Sequence, residues 1–410
     1  MKSVKSKIFV VILAVTVALA ASVTTFLFMD QQKSQDKINK PRKTAVIEKT
    51  YHGKAPNCPE KYCVSVTING DLLFHPALWN HFKTGDAREF DFTPLFAAQP
   101  QYYAKSDIAI CDVETPIAKP GGPYTGYPIF NIPPQVLDAA KTAGYTTCTT
   151  DTNHSWDQGL AGIERVIDKL DELGIEHTGT YKTETDSQKP LILDVEGGRV
   201  ALIGGTVSLN SMTADYDWRV DRLRDDEMAD HDYDRMISMA KKARDQGANL
   251  VIAQLHSVQE YLTYADGWQQ KAAHRLIDSG EFDLIYFHGS HSVQPFELYG
   301  GVYVIYGLGN SQTVSAPQSR YVNNQGLTVR VQFASTDQHE WKVTKISYLP
   351  TFNKTGAEYA WCPLDMSDQN YCASATTDQQ MYTRMENILF SMGLNKDDPI
   401  IRPWVIDEEN

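Results

Sequence analysis

From Val64 to Asn310, strand-like and helix-like segments alternate, and beyond them two segments alternate like antiparallel strands. That pattern predicts an α/β layered sandwich with mixed β-sheets flanked by helices. A third observation points the same way: metal-capable side chains recur where the expected strands end, the edge at which open α/β sheets collect ligands.

The elements follow in order. Val64–Ile68 reads as a strand running into Gly70-Asp71, and Ile108–Cys111 as a strand running into Asp112-Val113-Glu114-Thr115-Pro116. Pro134–Ala143 reads as a helix. Gly144–Thr150 is rich in Tyr and Thr, as a strand is. After the polar stretch Thr149–Gly159, apolar residues Leu160, Ile163, Val166, Ile167, Leu170 and Leu173 recur at helical spacing, and Gly174 is a natural stop. Arg199–Gly204 is an expected strand and Asp215–Asp234 a charged insertion. Tyr233–Gln246 is an expected helix and Leu250–Leu255 a strand followed by His256. Gln269–Ser279 is an expected helix, Asp283–Phe287 a strand followed by His288, and Val302–Tyr306 a strand ending in Gly307-Leu308-Gly309-Asn310. Leu327–Phe333 and Trp341–Tyr348 are the antiparallel pair, and Thr377–Met392 is a last helix-like run.

The chain of 410 residues is 42% hydrophobic and 22% charged, the composition of a globular protein. Its net charge of −13, from 38 basic and 51 acidic residues, argues against nonspecific nucleic-acid binding. Any anionic substrate needs a local metal or a local basic patch. Lys2, Lys5 and Lys7 precede the uncharged run Ile8–Met29. Roughly 20 apolar residues span a bilayer, and lysines on the short side favour a cytoplasmic N-terminus and an exported body. Residues 1–29 are therefore expected to be a membrane anchor. The alternative is a cleaved signal peptide, with Ala18-Leu19-Ala20 before Ala21 as the site. Residues 30–55 read as a linker, 56–350 as the main domain and 351–410 as a C-terminal extension. An exported body permits disulfides, and Cys58 with Cys63 and Cys362 with Cys372 are the plausible local pairs. Cys111 and Cys148 read as buried thiols, a cross-strand disulfide or ligands.

The chemistry rests on recurrence. Asp71, Glu114, Asn153 with His154, His256, and His288 with His291 each stand at a strand end. Carboxylates and imidazoles together suit a divalent ion such as zinc, manganese or iron, which takes about four to six ligands. Each residue also fits a plainer role: an Asx-turn for Asp71, a surface turn for Glu114, a helix cap for Asn153 and His154, a satisfied buried histidine for His256. His288 and His291 form the strongest pair, because Gly289 lets the backbone turn both rings toward one point. Asp157, behind His154, can fix the tautomer of that ring. His75 and the remaining histidines show no such placement.

Taken together, six elements resemble the CapA/PgsA family of poly-gamma-glutamate capsule biosynthesis proteins, over about Val64 to Asn310. They are Gly70-Asp71-Leu72-Leu73, Asp112-Val113-Glu114-Thr115-Pro116, Thr152-Asn153-His154 with Asp157, His256-Ser257-Val258-Gln259-Glu260-Tyr261, Phe287-His288-Gly289-Ser290-His291-Ser292-Val293-Gln294-Pro295, and Gly307-Leu308-Gly309-Asn310. Five positions depart from the family pattern. Asp112 stands for Asn, Gly289 for His, Ser257-Val258 for Trp-Gly, and Leu73 leaves the first element without the Asp-x-His of true metallophosphatases.

The resemblance implies a calcineurin-like metallophosphatase-type fold. It also implies a membrane-anchored extracytoplasmic protein that makes, exports or anchors a poly-gamma-glutamate-type envelope polymer. On that reading Asp71, Glu114, Asn153, His256, His288 and His291 hold the metal, and His154, supported by Asp157, is the acid. The implied partners are a polyanionic envelope polymer or its precursor and membrane synthase subunits. The alternatives are a noncatalytic polymer-binding or scaffold subunit of a synthase, or a metal-dependent phosphoesterase of the envelope.

Overall fold

The computed structural model describes residues 58–85, 89–314, 322–366 and 371–405. In chain order the strands are β1 (Tyr62–Leu73), β2 (Ile108–Val113), β3 (Thr147–Thr149), β4 (Glu176–Thr178), β5 (Leu191–Val195), β6 (Gly198–Thr206), β7 (Leu250–His256), β8 (Leu284–His288), β9 (Phe296–Tyr299), β10 (Val302–Ile305), β11 (Asn310–Thr313), β12 (Gln325–Ser335), β13 (Lys342–Lys354), β14 (Ala360–Pro363) and β15 (Ile401–Pro403). They form two mixed sheets. The first runs β14-β13-β12-β1-β2-β3-β4, with β11 beside β1 and β15 beside β13; the second runs β5-β6-β7-β8-β10-β9. In the first sheet β1 to β4 are parallel out to the β4 edge and β12 to β14 run antiparallel on the other side; in the second β6, β7, β8 and β10 are parallel and the edge strands β5 and β9 are antiparallel.

Alternation along the strands builds the layers. Val64, Val66, Ile68, Ile108 and Ile110 of the first sheet share one buried cluster with Val200, Leu202, Leu250, Ile252, Leu284 and Tyr286 of the second. The intervening residues face outward. Ala109, Cys111 and Cys148 pack on Leu137 and Ala140 of the helix Gln135–Ala143, and Ile203, Val251 and Ala253 on Met236, Ala240, Ala272 and Leu276 of two further helices. The result is a helix–sheet–sheet–helix sandwich, the α/β class the sequence predicts.

Local signals account for the helices. Gly144 and Gly174 end theirs in left-handed backbone, and Asp266 and Gln269 close a capping box on Gly267–Asp278. The helix expected from Tyr233 starts earlier, at Ala229. Asp230 and Asp232 occupy its first turn, where acidic groups suit the helix dipole, and Arg224 neutralises the buried Asp232.

One sequence expectation changes, and one left open is decided. The boundary placed at 350 falls inside β13. Strands β14 and β15 pair with β13, and Met381, Met385 and Leu389 of the helix Ala375–Leu389 join the cluster between the sheets. The described part of 351–410 is therefore woven into the first sheet rather than appended to it. Cys111 and Cys148, left open by the sequence, are register partners on β2 and β3 and are joined as a disulfide; Cys58–Cys63 and Cys362–Cys372 are joined locally. Among the described residues no helix is long and apolar enough to cross a membrane. The anchor expected over residues 1–29 and the linker over 30–55 lie outside them.

Candidate metal centre

The parallel strands of both sheets end at one edge, and alternation decides which side chains meet there. On β2, Asp112 continues the inward row of Ile108 and Ile110, and Glu114 follows two residues on. On β7 and β8, His256 and His288 continue the inward rows through Ile252 and Tyr286. Asp71 has the wrong parity on β1 for that row. An irregularity between Ile68 and Asp71 corrects it and pairs Asp71 with Asp112 on one side and Asn310 on the other. Gly70 makes this feasible: a Cβ there would run into the carbonyl oxygen of Gly309, which accepts from the Asp71 N–H at 2.9 Å.

The geometry converges on Asp71. Its Oδ1 accepts from His288 Nδ1 at 2.7 Å and its Oδ2 from His291 Nδ1 at 2.8 Å. His291 Nδ1 also reaches Asn310 Oδ1 at 3.1 Å, and its Nε2 lies 3.5 Å from Glu114. Two groups of potential ligands share this carboxylate, Asp71 with Glu114 and His291, and Asp71 with Asp112 and His288; within each, one ligand atom per residue lies within 4.8 Å of the others. His256 stands alongside, its Nε2 donating to Asn153 Oδ1 at 3.1 Å and its Nδ1 3.7 Å from Asp112. All these residues are buried.

The electrostatics are those of a site short of positive charge. Burial works against the Asp71 carboxylate, yet hydrogen bonds from His288 and His291 hold it well below the usual range. Burial, with Asp71 close by, pushes Asp112 up to about 6 and Glu114 well above its ordinary value. Burial opposes charging His291, but Glu114 and Asp71 raise it to about 10. Both Glu114 oxygens, Asp112 Oδ2, His256 Nδ1 and His288 Nε2 are buried and make no hydrogen bond. Unpartnered buried carboxylate and imidazole atoms are costly in a protein interior, and they are the donor set a divalent cation takes. The residues present fit such an ion.

His154 and Asp157 form a separate pair beside this centre. His154 Nδ1 donates to Asp157 Oδ2 at 2.8 Å, and the same oxygen accepts the Phe130 N–H at 2.7 Å. The Phe130 ring stands edge-on to His154, with centroids 4.7 Å apart. Neither Asn153 nor His154 caps the helix Gly159–Leu173; its N-cap is Gln158, and no side chain caps it. Glu114 is fully buried, not a surface turn. Of the six residues expected as ligands, Asp71, Glu114, His288 and His291 fall in the two ligand groups, whereas His256 and Asn153 fall in neither and bond to each other beside them; His154 and Asp157 form the neighbouring pair.

Sequence reasoning missed four residues. Asp112 lies two positions before Glu114, and that spacing on a strand was the available signal. Asn310 closes the Gly307-Leu308-Gly309-Asn310 element, and a glycine-rich turn gives no sign of the contact it makes to His291. Asn210, at the exit of β6, places its amide 3.5 Å from His154 Nε2, and it carried no pattern. His75, which follows no strand-end pattern, packs edge-on to Phe130, and burial, with His291 and His154 nearby, lowers it to about 4.

The Gly289 departure has a geometric cause. Its φ is +83°, and a Cβ there would strike the Ser257 carbonyl and come 2.7 Å from His256 Nε2. Putting a side chain back, as Gly289→Ala or Gly289→His, is expected to lower stability by about 2–4 kcal/mol and to displace His256. Urea unfolding checks this; a variant as stable as the wild type would contradict the geometry.

Comparisons with known proteins agree. The family profile described as "Bacterial capsule synthesis protein PGA_cap" matches residues 65–313. Over 183 residues the chain is 26% identical to the capsule biosynthesis protein CapA of Bacillus anthracis, covering 43% of this chain and 42% of that one. Over 209 residues it is 27% identical to the PGA biosynthesis protein CapA of Bacillus subtilis (strain 168), covering 49% and 53%. The chain spans about half the length of the curated relatives it matches. A solved structure, the calcineurin-like phosphoesterase YfkN of Bacillus subtilis, aligns with 79% of this chain and 98% of that one at 12% identity and a TM-score of 0.41, a likeness too low to carry an argument. The profile match includes Asp71, Asp112, Glu114, the His154–Asp157 pair, His256, His288, His291 and Asn310, and the chain belongs to the PGA_cap family of bacterial capsule synthesis proteins.

Proposed function

We propose that the chain is a metal-dependent hydrolase that acts on a phosphoryl or acyl centre of a capsule-type envelope polymer, a polyanion of the poly-gamma-glutamate kind, or its precursor. It works on the outer side of the membrane, held by residues 8–29, alongside membrane synthase subunits. The observation that carries this reading is the single carboxylate, Asp71, shared by two buried groups of carboxylates and imidazoles. Zinc, manganese or iron suits that mixed donor set. Bound there, such an ion supplies Lewis acidity and a nucleophile active at neutral pH.

The protein's own residues do the rest. Asn153 Oδ1, accepting from His256 Nε2, orients the His256 ring. Asp157 holds the His154 proton on Nδ1, which leaves Nε2 as the atom that exchanges a proton with the leaving group. The Phe130 N–H fixes the Asp157 carboxylate in turn. Net charge is strongly negative, so an anionic substrate depends on the cation rather than on the surface field.

The test is in cells. Replacing the chromosomal copy with His288→Ala is expected to abolish the capsule-type polymer while protein levels stay normal. Wild-type polymer at normal protein levels would overturn the reading. Loss of polymer from His288→Ala but not from His154→Ala would favour the scaffold role over hydrolysis.

A further inference from the structure

The end of β13 carries a second concave site, which the mechanism above leaves unused. β13 runs antiparallel to β12, and β12 antiparallel to β1, so β13 ends at the same edge of the first sheet as Asp71. Ile346 and Tyr348 lie in the inward row of β13, and the register on β12 stays regular from them to Phe352. By alternation Phe352 and Lys354 continue that row, on the side of the sheet from which Asp112 and Glu114 enter the centre. Both line a cavity of about 580 Å³. The link to the centre is short. Asn353, between them, donates from Nδ2 to the Asn310 carbonyl at 3.0 Å, and Asn310 Oδ1 lies 3.1 Å from His291 Nδ1.

The facing wall is rigid. Thr377, Gln380, Met381 and Arg384 of the helix Ala375–Leu389 fall at i, i+3, i+4 and i+7 and present one stripe to the cavity. The Cys362–Cys372 disulfide and Asp378 fix the chain that enters this helix; the Asp378 carboxylate accepts the Cys372 N–H at 2.6 Å and the Ala373 N–H at 3.0 Å. Arg384 Nη2 donates to Gln325 Oε1, and Gln325 is the register partner of Phe352. The volume is that of a pre-formed small-ligand site, roughly 300–1,000 Å³.

The lining selects the occupant. Phe352 and Met381 give it an apolar surface; among the described residues that line it, Lys354 and Arg384 are basic and Glu358 alone is acidic. Glu358 lies 3.6 Å from Lys354 with its side chain 70% exposed, so an incoming carboxylate displaces only a solvated surface pair. In a chain of net charge −13, two cations in one cavity run against the average surface. A guanidinium takes a carboxylate by parallel N–H bonds, and methylenes gain by leaving water for Phe and Met side chains. We propose that this cavity is a subsite for a carboxylate-bearing aliphatic chain, with Lys354 and Arg384 taking its carboxylates and Phe352 and Met381 packing its methylenes. This rests on the function proposed above and adds the residues that hold the polyanion beside the centre.

The full-length protein in detergent is titrated calorimetrically with soluble poly-gamma-glutamate and, separately, with inorganic polyphosphate. The wild type binds poly-gamma-glutamate. Lys354→Gln and Arg384→Gln each weaken it about tenfold. Lys241→Gln, exposed on the helix Ala229–Asp245 of the other helix layer, leaves it unchanged. The Lys354 side chain is 25% exposed and can be changed without unpacking the core, so the outcome does not hang on Arg384 and its contact with Gln325. No binding by the wild type, equal binding by the Lys354 and Arg384 variants, or an equal loss from Lys241→Gln overturns the subsite. So does polyphosphate that binds as tightly through the same two residues. Metal content and polymer cleavage, read in the same samples, separate the two ideas. A metal-free, inactive wild type that binds through Lys354 and Arg384 loses the hydrolase reading and keeps the subsite; a metal-bearing, active protein indifferent to both residues loses the subsite alone.

Discussion

Asp71→Asn is expected to empty the centre. Asp71 is the one residue common to both ligand groups, and it holds both His288 and His291 by their Nδ1 atoms. The amide keeps the shape but loses the charge that both groups depend on. Wild-type protein should carry about one or more divalent ions per chain, and the variant less than about a tenth of that, by elemental analysis after dialysis. Stability should fall as well. Removing one partner of a buried charge pair costs about 3–5 kcal/mol because the other charge is left uncompensated, and here two imidazoles are left. Asp107→Asn is the control. Asp107 is also a buried carboxylate, but it lies at the start of β2 and takes its hydrogen bonds from Ser65, far along the strand from Asp112. It should keep full metal content. Metal retained by Asp71→Asn, or lost equally from the control, would overturn the assignment.

His154→Ala should reduce turnover about 10²–10⁴-fold while metal content stays at the wild-type level, because His154 belongs to neither ligand group. Asp157→Asn should fall between the wild type and His154→Ala. An amide oxygen in the place of Oδ2 can still accept from His154 Nδ1 and the Phe130 N–H, but it no longer stabilises the charged imidazole. The readout that separates this from a structural defect is the leaving group: His154→Ala should lose little rate on a substrate whose leaving group departs without a proton. A His154→Ala enzyme slowed equally on good and poor leaving groups, or not slowed at all, would remove His154 from the proton-transfer step.

Much of this was legible in the chain. The long strands announced themselves by apolar alternation, and the helices by spacing and by caps such as Gly174 and Asp266. The strand-end residues were visible because a polar side chain directly after an apolar run has to lie at a sheet edge. Strands β4, β5, β9, β11, β14 and β15 were not legible. They are three to five residues long, and partners remote in sequence, not local pattern, make them strands. β11 is the instructive case: Asn310–Thr313 is entirely polar, yet it is buried, because it lies parallel to the end of β1.

Taken alone, the sequence determined the fold class, the family and the set of residues at strand ends, since each is written in local periodicity and order. Only the tertiary structure decided how those residues share the work. The irregularity at Gly70 turns Asp71 inward and makes it the hub. The register of β1 on β2 brings Asp112 into the centre, and the exit of β6 brings in Asn210. Their roles depend on distances between segments tens to hundreds of residues apart, and local sequence carries no record of those distances.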